Sequence, residues 1–375
     1  MILEIIWVIL ILLHIFPFLA YIFYMKHLTE NKPWNIKFDL NYEPTVSILV
    51  PTYNEAKVIE KKLNNIFETN YPKDKVEMII VDSASTDNTV EKTKEFMRMH
   101  QDLKIKLLKE NERKGMVKAL NLGFRNANGE LILKTDADCL SDSDSLKNAM
   151  KYIADPQVGS VAGLHKITAY KNTIAVKVEK NYRSFYRWLR IGESKLHSTV
   201  LYEGEFMLVK KKLLEKLGGF DEEMGADDVP LALMVAKQGY RAITAEDVNF
   251  IELTPYTWKE KFNQKVRRGT HVLQTLWKYK NLISIRGRQL QKFILPMEIY
   301  IYIINPLIAI LIIVLIPIII IRYPWLLLIC LLLLIRELRY LVLTHLTNIA
   351  IMFLVMINRI KVGHNIKWEK IDEIR

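Results

Sequence analysis

A chain of 375 residues accommodates one large α/β domain with membrane segments but not two full enzyme domains, so a single catalytic unit is expected. Half of the residues are hydrophobic although 25% are charged, which excludes an evenly mixed globular chain and requires the apolar residues to gather in blocks, as they do at both ends. The formal net charge of +12 suits nucleic acid, anionic lipid or a phosphorylated substrate alike; the long apolar runs favour membrane lipids, and no nucleic-acid partner is expected. Cys139 and Cys330 fall in a soluble stretch and an apolar run, an arrangement that argues against a disulfide, cannot build a zinc site and fits a reducing cytoplasmic face.

In chain order, Ile5 to Tyr24 offers about 20 residues with His14 as its one readily charged side chain, long enough to cross a bilayer core. No basic region precedes it and no small-residue cleavage site follows. Lys26, His27, Lys32 and Lys37 come next, which by the positive-inside rule puts the N-terminus outside and the following chain in the cytoplasm. A second span is expected from about Ile299 to Ile321. The apolar region Trp325 to Ile357 exceeds one straight crossing and contains Arg336, Glu337 and Arg339, so it reads as one crossing plus an interfacial or re-entrant piece. Arg359, Lys361, Lys367 and Lys370 then return the C-terminus to the cytoplasm, giving three crossings of the cell membrane. The expected divisions are a membrane helix over 1–25, a catalytic domain over 45–255, amphipathic interfacial helices over 256–296, membrane segments over 297–358 and a cytoplasmic tail over 359–375.

Within the central region short β-rich runs alternate with helical patterns, predicting a parallel sheet with covering helices. Strands are expected at Val46 to Val50, Val76 to Val81, Ile105 to Leu108 and Leu131 to Lys134, with helices such as Glu55 to Glu68 and Thr89 to Met99 between them. Ligands of open α/β sheets bind beyond the carboxyl ends of strands. The residues there are polar: Pro51-Thr52-Tyr53-Asn54-Glu55, Asp82-Ser83-Ala84-Ser85-Thr86-Asp87 and Thr135-Asp136-Ala137-Asp138. Two carboxylates one residue apart, Asp136 and Asp138, supply hard oxygen ligands for Mg2+ or Mn2+; as an isolated pattern they would also simply cap a turn.

Four such segments in order resemble the motifs of the family 2 glycosyltransferases, over roughly Thr45 to Gly269. The opening nucleotide motif corresponds to Pro51 through Glu55 and the second to Val81 through Thr89. Lys114-Gly115 with Ala119-Leu120-Asn121 resembles the third, and Asp136-Ala137-Asp138 the metal motif. The resemblance implies an α/β GT-A fold, Rossmann-like and flanked by transmembrane helices. It also implies inverting transfer from a nucleotide-diphosphate sugar, a UDP-sugar by expectation, to a glycan or lipid acceptor. Pro51, Tyr53, Glu55, Asp82, Ser83, Lys114 and Asp136 would bind the donor, and Asp136 and Asp138 the metal. Asp227-Asp228, after Gly218-Gly219-Phe220-Asp221, resembles the acceptor-side acidic motif, with Asp228 as catalytic base and Asp227 as the alternative; the pair equally suits a helix N-terminus.

Gln264-Lys265-Val266-Arg267-Arg268-Gly269 is similar to the Gln-x-x-Arg-Trp element of cellulose, chitin and hyaluronan synthases, which adds Gln264, Arg267 and Arg268 to the donor contacts. Arg268 stands where those enzymes carry tryptophan, Ser83 where the family often has a second aspartate, and Met116 where it often has lysine. Lys114 or Arg113 is left to supply the missing charge. Tyr182, Phe185, Tyr186 and Trp188 alternate with Arg183, Arg187 and Arg190 as a candidate acceptor or headgroup face, or as core packing with a solvated basic side. Flanking spans resemble the polysaccharide synthases and ceramide glucosyltransferases. A polyisoprenyl-phosphate sugar transferase, a nucleotidyltransferase and a non-catalytic nucleotide-binding membrane protein are the other readings. His165 and His197 are expected to be structural.

Overall fold

The computed structural model describes residues 2–169, 171–284 and 288–361, and of 329–333, 336–337 and 358–361 it describes the backbone alone. Lys367 and Lys370, with the side chains of Cys330, Arg336, Glu337, Arg359 and Lys361, lie outside the described residues. Two compact units divide the chain: one gathers 1–32, 171–192 and 255–363, the other chiefly 33–170 and 193–254.

The second unit is built on one sheet. Its strands are β1 (Val46–Thr52), β2 (Val76–Asp82), β3 (Lys104–Lys109), β4 (Leu131–Thr135), β5 (Cys139–Ser141), β6 (Val158–Thr168), β7 (Phe206–Lys210) and β8 (Arg241–Leu253), in the order β3-β2-β1-β4-β7-β6-β8-β5. The four strands expected from sequence form its parallel half. The other half is mixed, with β7 antiparallel to both β4 and β6, and β5 antiparallel to β8, so the sheet is not the all-parallel one expected.

Strand β1 is buried on both faces, Ile48 and Val50 facing one core cluster and Leu49 the other, which accounts for its continuous apolar run. Helix α2 (Ile59–Phe67) begins four residues later than expected, because Asn54 takes a left-handed φ of 55° and Glu55 opens a turn whose carbonyl receives the amides of Val58 and Ile59. Helix α3 (Thr89–Met99) follows β2, and α4 (Met116–Arg125) starts after Gly115, whose φ of 99° is open to glycine without strain. The later helices of this unit are α5 (Ser145–Ile153), α7 (Lys211–Leu217) and α8 (Asp228–Lys237).

The other unit is helical. It holds α1 (Ile2–Asn31), most of α6 (Ile174–Leu196), α9 (Trp258–Tyr279), α10 (Leu295–Ile299), α11 (Asn305–Arg322) and α12 (Arg336–Lys361). Ile2–Asn31, Leu290–Arg322 and Leu338–Ile357 are each long and apolar enough to cross a membrane. The second begins at Leu290, inside the stretch expected to be interfacial. It is wound partly as π-helix, at Leu290–Ile294 and Tyr300–Ile304, each run ending where a segment with an early proline begins. Between the last two candidates Pro324–Leu334 is a 3-10 run. One polar group from each candidate span joins a chain: His14 Nδ1 to Asn305 Oδ1 at 2.6 Å, and His14 Nε2 to His345 Nε2 at 2.8 Å. An imidazole of His14 protonated at Nδ1 donates to Asn305 and accepts from His345, which satisfies both contacts.

Helix α9 is capped by Thr257, whose hydroxyl accepts the amide of Glu260, and packs Phe262, Val266 and Leu273 against Ile351, Met352 and Val355 of α12. Trp258 and Trp277 are its exposed aromatics. The carboxylate of Glu179 on α6 is ringed by Arg183, Lys261 and Lys265, and Arg190 forms a fully buried pair with Glu298 at 2.6 Å. The basic-aromatic face expected on α6 is therefore largely internal at Arg190 and Tyr186.

Candidate active site

Thr52, Asp82 and Lys109 lie in register across β1, β2 and β3, so the polar segments that follow them share one sheet edge. Asp82 is buried and its carboxylate is fully engaged: Oδ1 accepts from Ser85 Oγ (2.5 Å) and Thr52 Oγ1 (3.3 Å), and Oδ2 from the Ser85 amide (3.0 Å). Asn54 reaches across to Thr86, its Oδ1 receiving that amide at 2.7 Å, while the Asn54 amide donates to Ser85 Oγ at 2.8 Å. Both loops include a non-glycine residue in the left-handed region, Asn54 and Ala84 (φ 57°). Such backbone is strained for alanine, and this loop holds it through the Asp82 to Ser85 bonds.

Around this edge, Pro51 is the penultimate residue of β1, and Tyr53 carries the Arg113 guanidinium 4.1 Å above its ring. Glu55 is buried, and its amide donates to Thr89 Oγ1. Ser83 is buried and donates to Glu110 Oε2 at 2.6 Å. Lys114 is exposed beside Glu112 and lines, with Lys109, Glu110, Lys118 and Arg125, a cavity of about 360 Å³.

The carboxyl end of β4 gathers a second constellation. Lys134 sits inside a strand that is otherwise apolar up to Thr135, and its ammonium is buried. It donates to the Gly204 carbonyl at 2.7 Å and pairs with Asp136 at 2.8 Å and Asp227 at 3.0 Å. Burial alone would lower its pKa, but Asp136 and Asp227 outweigh that and hold it well above the ordinary lysine value. The carboxylates feel the opposite balance. Burial, opposed by Lys134 and reinforced by Glu205, Asp227 and Asp138, raises Asp136 to about 6. Burial and then Asp227 raise Asp228 to about 7. Asp227 is not a side-chain cap of α8; its carboxylate goes to Lys134 instead, and Asp228 Oδ1 accepts the Val229 amide at 2.7 Å.

One ammonium thus faces Asp136, Glu205, Asp227 and Asp228, with Asp138 near Asp136, leaving an excess of negative charge on hard oxygen atoms. That donor set fits Mg2+ or Mn2+. Among the described residues no group of three or more His, Cys, Asp or Glu forms a ready metal cage. Asp136, Asp138, Asp227 and Asp228 are brought together here, and Pro51, Tyr53, Glu55, Asp82, Ser83 and Lys114 belong to the same unit. Gln264, Arg267 and Arg268 are on α9 of the helical unit, all half-buried.

A family model described as "Glycosyl transferase family 2" matches residues 47–218. Mannosyltransferase PcManGT from Pyrobaculum calidifontis, solved in complex with GDP-Man and Mn2+, is 35% identical, covers 96% of this chain and 99% of its own, and aligns with a TM-score of 0.82. The chain belongs to glycosyl transferase family 2. It is a glycosyltransferase of GT-A fold. Among curated relatives, "Probable glycosyltransferase YdaM" of Bacillus subtilis is 30% identical over 231 residues, covering 60% of this chain and 54% of that protein. The poly-beta-1,6-N-acetyl-D-glucosamine synthase of Staphylococcus epidermidis is 27% identical over 284 residues, covering 74% and 66%. The chain spans about half to two thirds of the length of these curated relatives.

Three residues of this transferase escaped the sequence reading. Lys134 had a signal, a lysine inside a run of Leu, Ile and Leu two residues before an Asp-x-Asp. Glu205 and Glu110 had none, because each gains meaning only through partners on other strands.

Proposed function

We propose that the transferase moves a sugar, with inversion, from a nucleotide-diphosphate sugar to a glycan or lipid acceptor at a membrane surface. Asp228 would be the base. Its carboxylate, raised to about 7, is half-buried beside Gly204 and matches the proton affinity that a base needs near neutral pH. Asp227, the alternative, is buried and tied to Lys134, which leaves it a positioning role. The Asp228 carboxylate would take the proton of the acceptor hydroxyl as that oxygen attacks the anomeric carbon, and the bond to the nucleoside diphosphate would break on the opposite face.

Asp136 and Asp138 would hold Mg2+ or Mn2+, as the Mn2+ of the archaeal relative supports. A bound divalent ion supplies charge to offset the departing diphosphate. The nucleotide would lie over Pro51, Tyr53, Glu55, Asp82, Ser83 and Lys114. The three apolar helices would anchor the enzyme in the cell membrane, with the catalytic unit cytoplasmic and the 256–296 stretch near the interface. The observation that carries this reading is the carboxylate cluster set against the one ammonium of Lys134.

The test is nucleoside diphosphate release by the detergent-solubilised chain from GDP-mannose, UDP-N-acetylglucosamine and a wider UDP-sugar panel. Metal is supplied and then chelated. Release that needs the metal and stops in Asp228→Asn supports the proposal; metal-independent release, or none from any donor with lipid and glycan acceptors present, refutes it.

A further inference from the structure

Where the family often carries a second aspartate, this chain has Ser83, and the carboxylate arrives from the neighbouring strand instead. Glu110 is the first residue past β3, next to Ser83 because Asp82 and Lys109 are paired in register. Two bonds fix it there: its amide donates to the Asp82 carbonyl at 2.8 Å, and its Oε2 accepts from Ser83 Oγ at 2.6 Å. Asp82 has less capacity to spare, since Ser85 and Thr52 already supply three hydrogen bonds to its carboxylate. Glu110, by contrast, is only half-buried and has no ion-pair partner among the described residues, although Lys109, Lys114, Lys118 and Arg125 line the same cavity. A carboxylate offers about four acceptor sites, so the Ser83 bond leaves capacity for a ligand.

The rim of the same sheet edge carries the stacked Arg113 and Tyr53, a flat surface of the kind on which a base ring packs. We propose that Glu110, held in place by Ser83, reads the nucleobase of the donor and selects guanine; this rests on the nucleotide-sugar reading of the site. Guanine presents N1–H and the N2 amino group side by side, two donors at the spacing of a carboxylate's two oxygens. Uracil presents one N–H between two carbonyl oxygens, whose lone pairs meet the second carboxylate oxygen. Cytosine sets a ring acceptor beside its amino group. A carboxylate in this position therefore discriminates by hydrogen-bond pattern and not by size.

Inosine diphosphate separates this from general purine stacking, because it is GDP without the N2 amino group. Calorimetry of the full chain in detergent with Mn2+ is expected to show GDP binding about tenfold more tightly than IDP, the discrimination typical of a bidentate base contact, and more tightly still than UDP. Glu110→Gln should weaken GDP and bring GDP and IDP within about threefold of each other. Ser83→Ala, which releases the carboxylate without removing it, should narrow the ratio in the same direction. A GDP to IDP ratio unchanged in both folded variants, or a wild type that prefers UDP, overturns the inference. UDP preference with sugar release would leave the transferase reading standing, whereas no binding of any nucleoside diphosphate would sink both.

Discussion

Replacing Asp228 by asparagine should slow catalysis and yet stabilise the fold. The native carboxyl titrates about three units above its ordinary value of 3.8. At about 1.36 kcal/mol per unit this amounts to about 4 kcal/mol, and discounting for partial exposure and coupling to Asp227 leaves about 2 kcal/mol. The sign follows from proton binding: the native state holds this proton more tightly than the unfolded chain, so the contribution is intact below about pH 4 and lost as pH rises through 7. Wild type therefore carries the whole penalty at pH 8.5, and asparagine removes it while its side-chain oxygen still accepts from the Val229 amide. The melting temperature of Asp228→Asn should exceed that of wild type by about 4–8 °C at pH 8.5, at about 2–4 °C per kcal/mol, and by less than half of that at pH 5. Differential scanning fluorimetry in detergent at both values measures it. In parallel, wild-type kcat/KM should fall tenfold per unit below pH 7, and the variant should lose at least 100-fold. A stability gap that is absent or the same at the two pH values would refute the burial argument, and retained turnover would refute the assignment of the base.

Lys134→Met should be the most damaging single change near the site, costing about 3–5 kcal/mol at pH 8 by leaving Asp136 and Asp227 without their cation, and less at pH 5 where Asp136 takes up a proton; thermal melts at the two pH values check it. Asp138→Asn should abolish metal-stimulated turnover with a melting temperature within a degree or two of wild type, as read from a Mn2+ titration of activity. Ala84→Gly relieves a left-handed alanine and should raise stability by about 1 kcal/mol, seen as a shift in the denaturation midpoint at unchanged slope.

The parallel half of the sheet was legible because each of its strands is a short apolar run closed by a polar segment, and those segments are the loops of the candidate site. The antiparallel half was not. Strand β5 has three residues, and β8 alternates in burial only over its second part, so neither stands out from its surroundings. The aspartates were visible as motifs, but what sets their protonation was not: Lys134 meets Gly204 and Asp227 only because β4 pairs with β7 and α8 returns to the same edge. Asn121 makes the same point: it was visible as part of a segment resembling the third family motif, but its bonds to the Phe220 amide and carbonyl, which tie α4 to the chain before Asp227, were not.

The polar chain of His14, Asn305 and His345 also bears on how the protein is made. Its members are 291 and 331 residues apart, with the whole nucleotide-sugar unit encoded between the first and the second. In the proposed membrane setting, α1 leaves the ribosome first, and its imidazole, costly in lipid without a partner, would wait through the synthesis of residues 33–254 for Asn305 and longer for His345. A chain released before α12 would then keep an incomplete hydrogen-bonded chain, a built-in mark by which an unfinished copy would differ from a finished one.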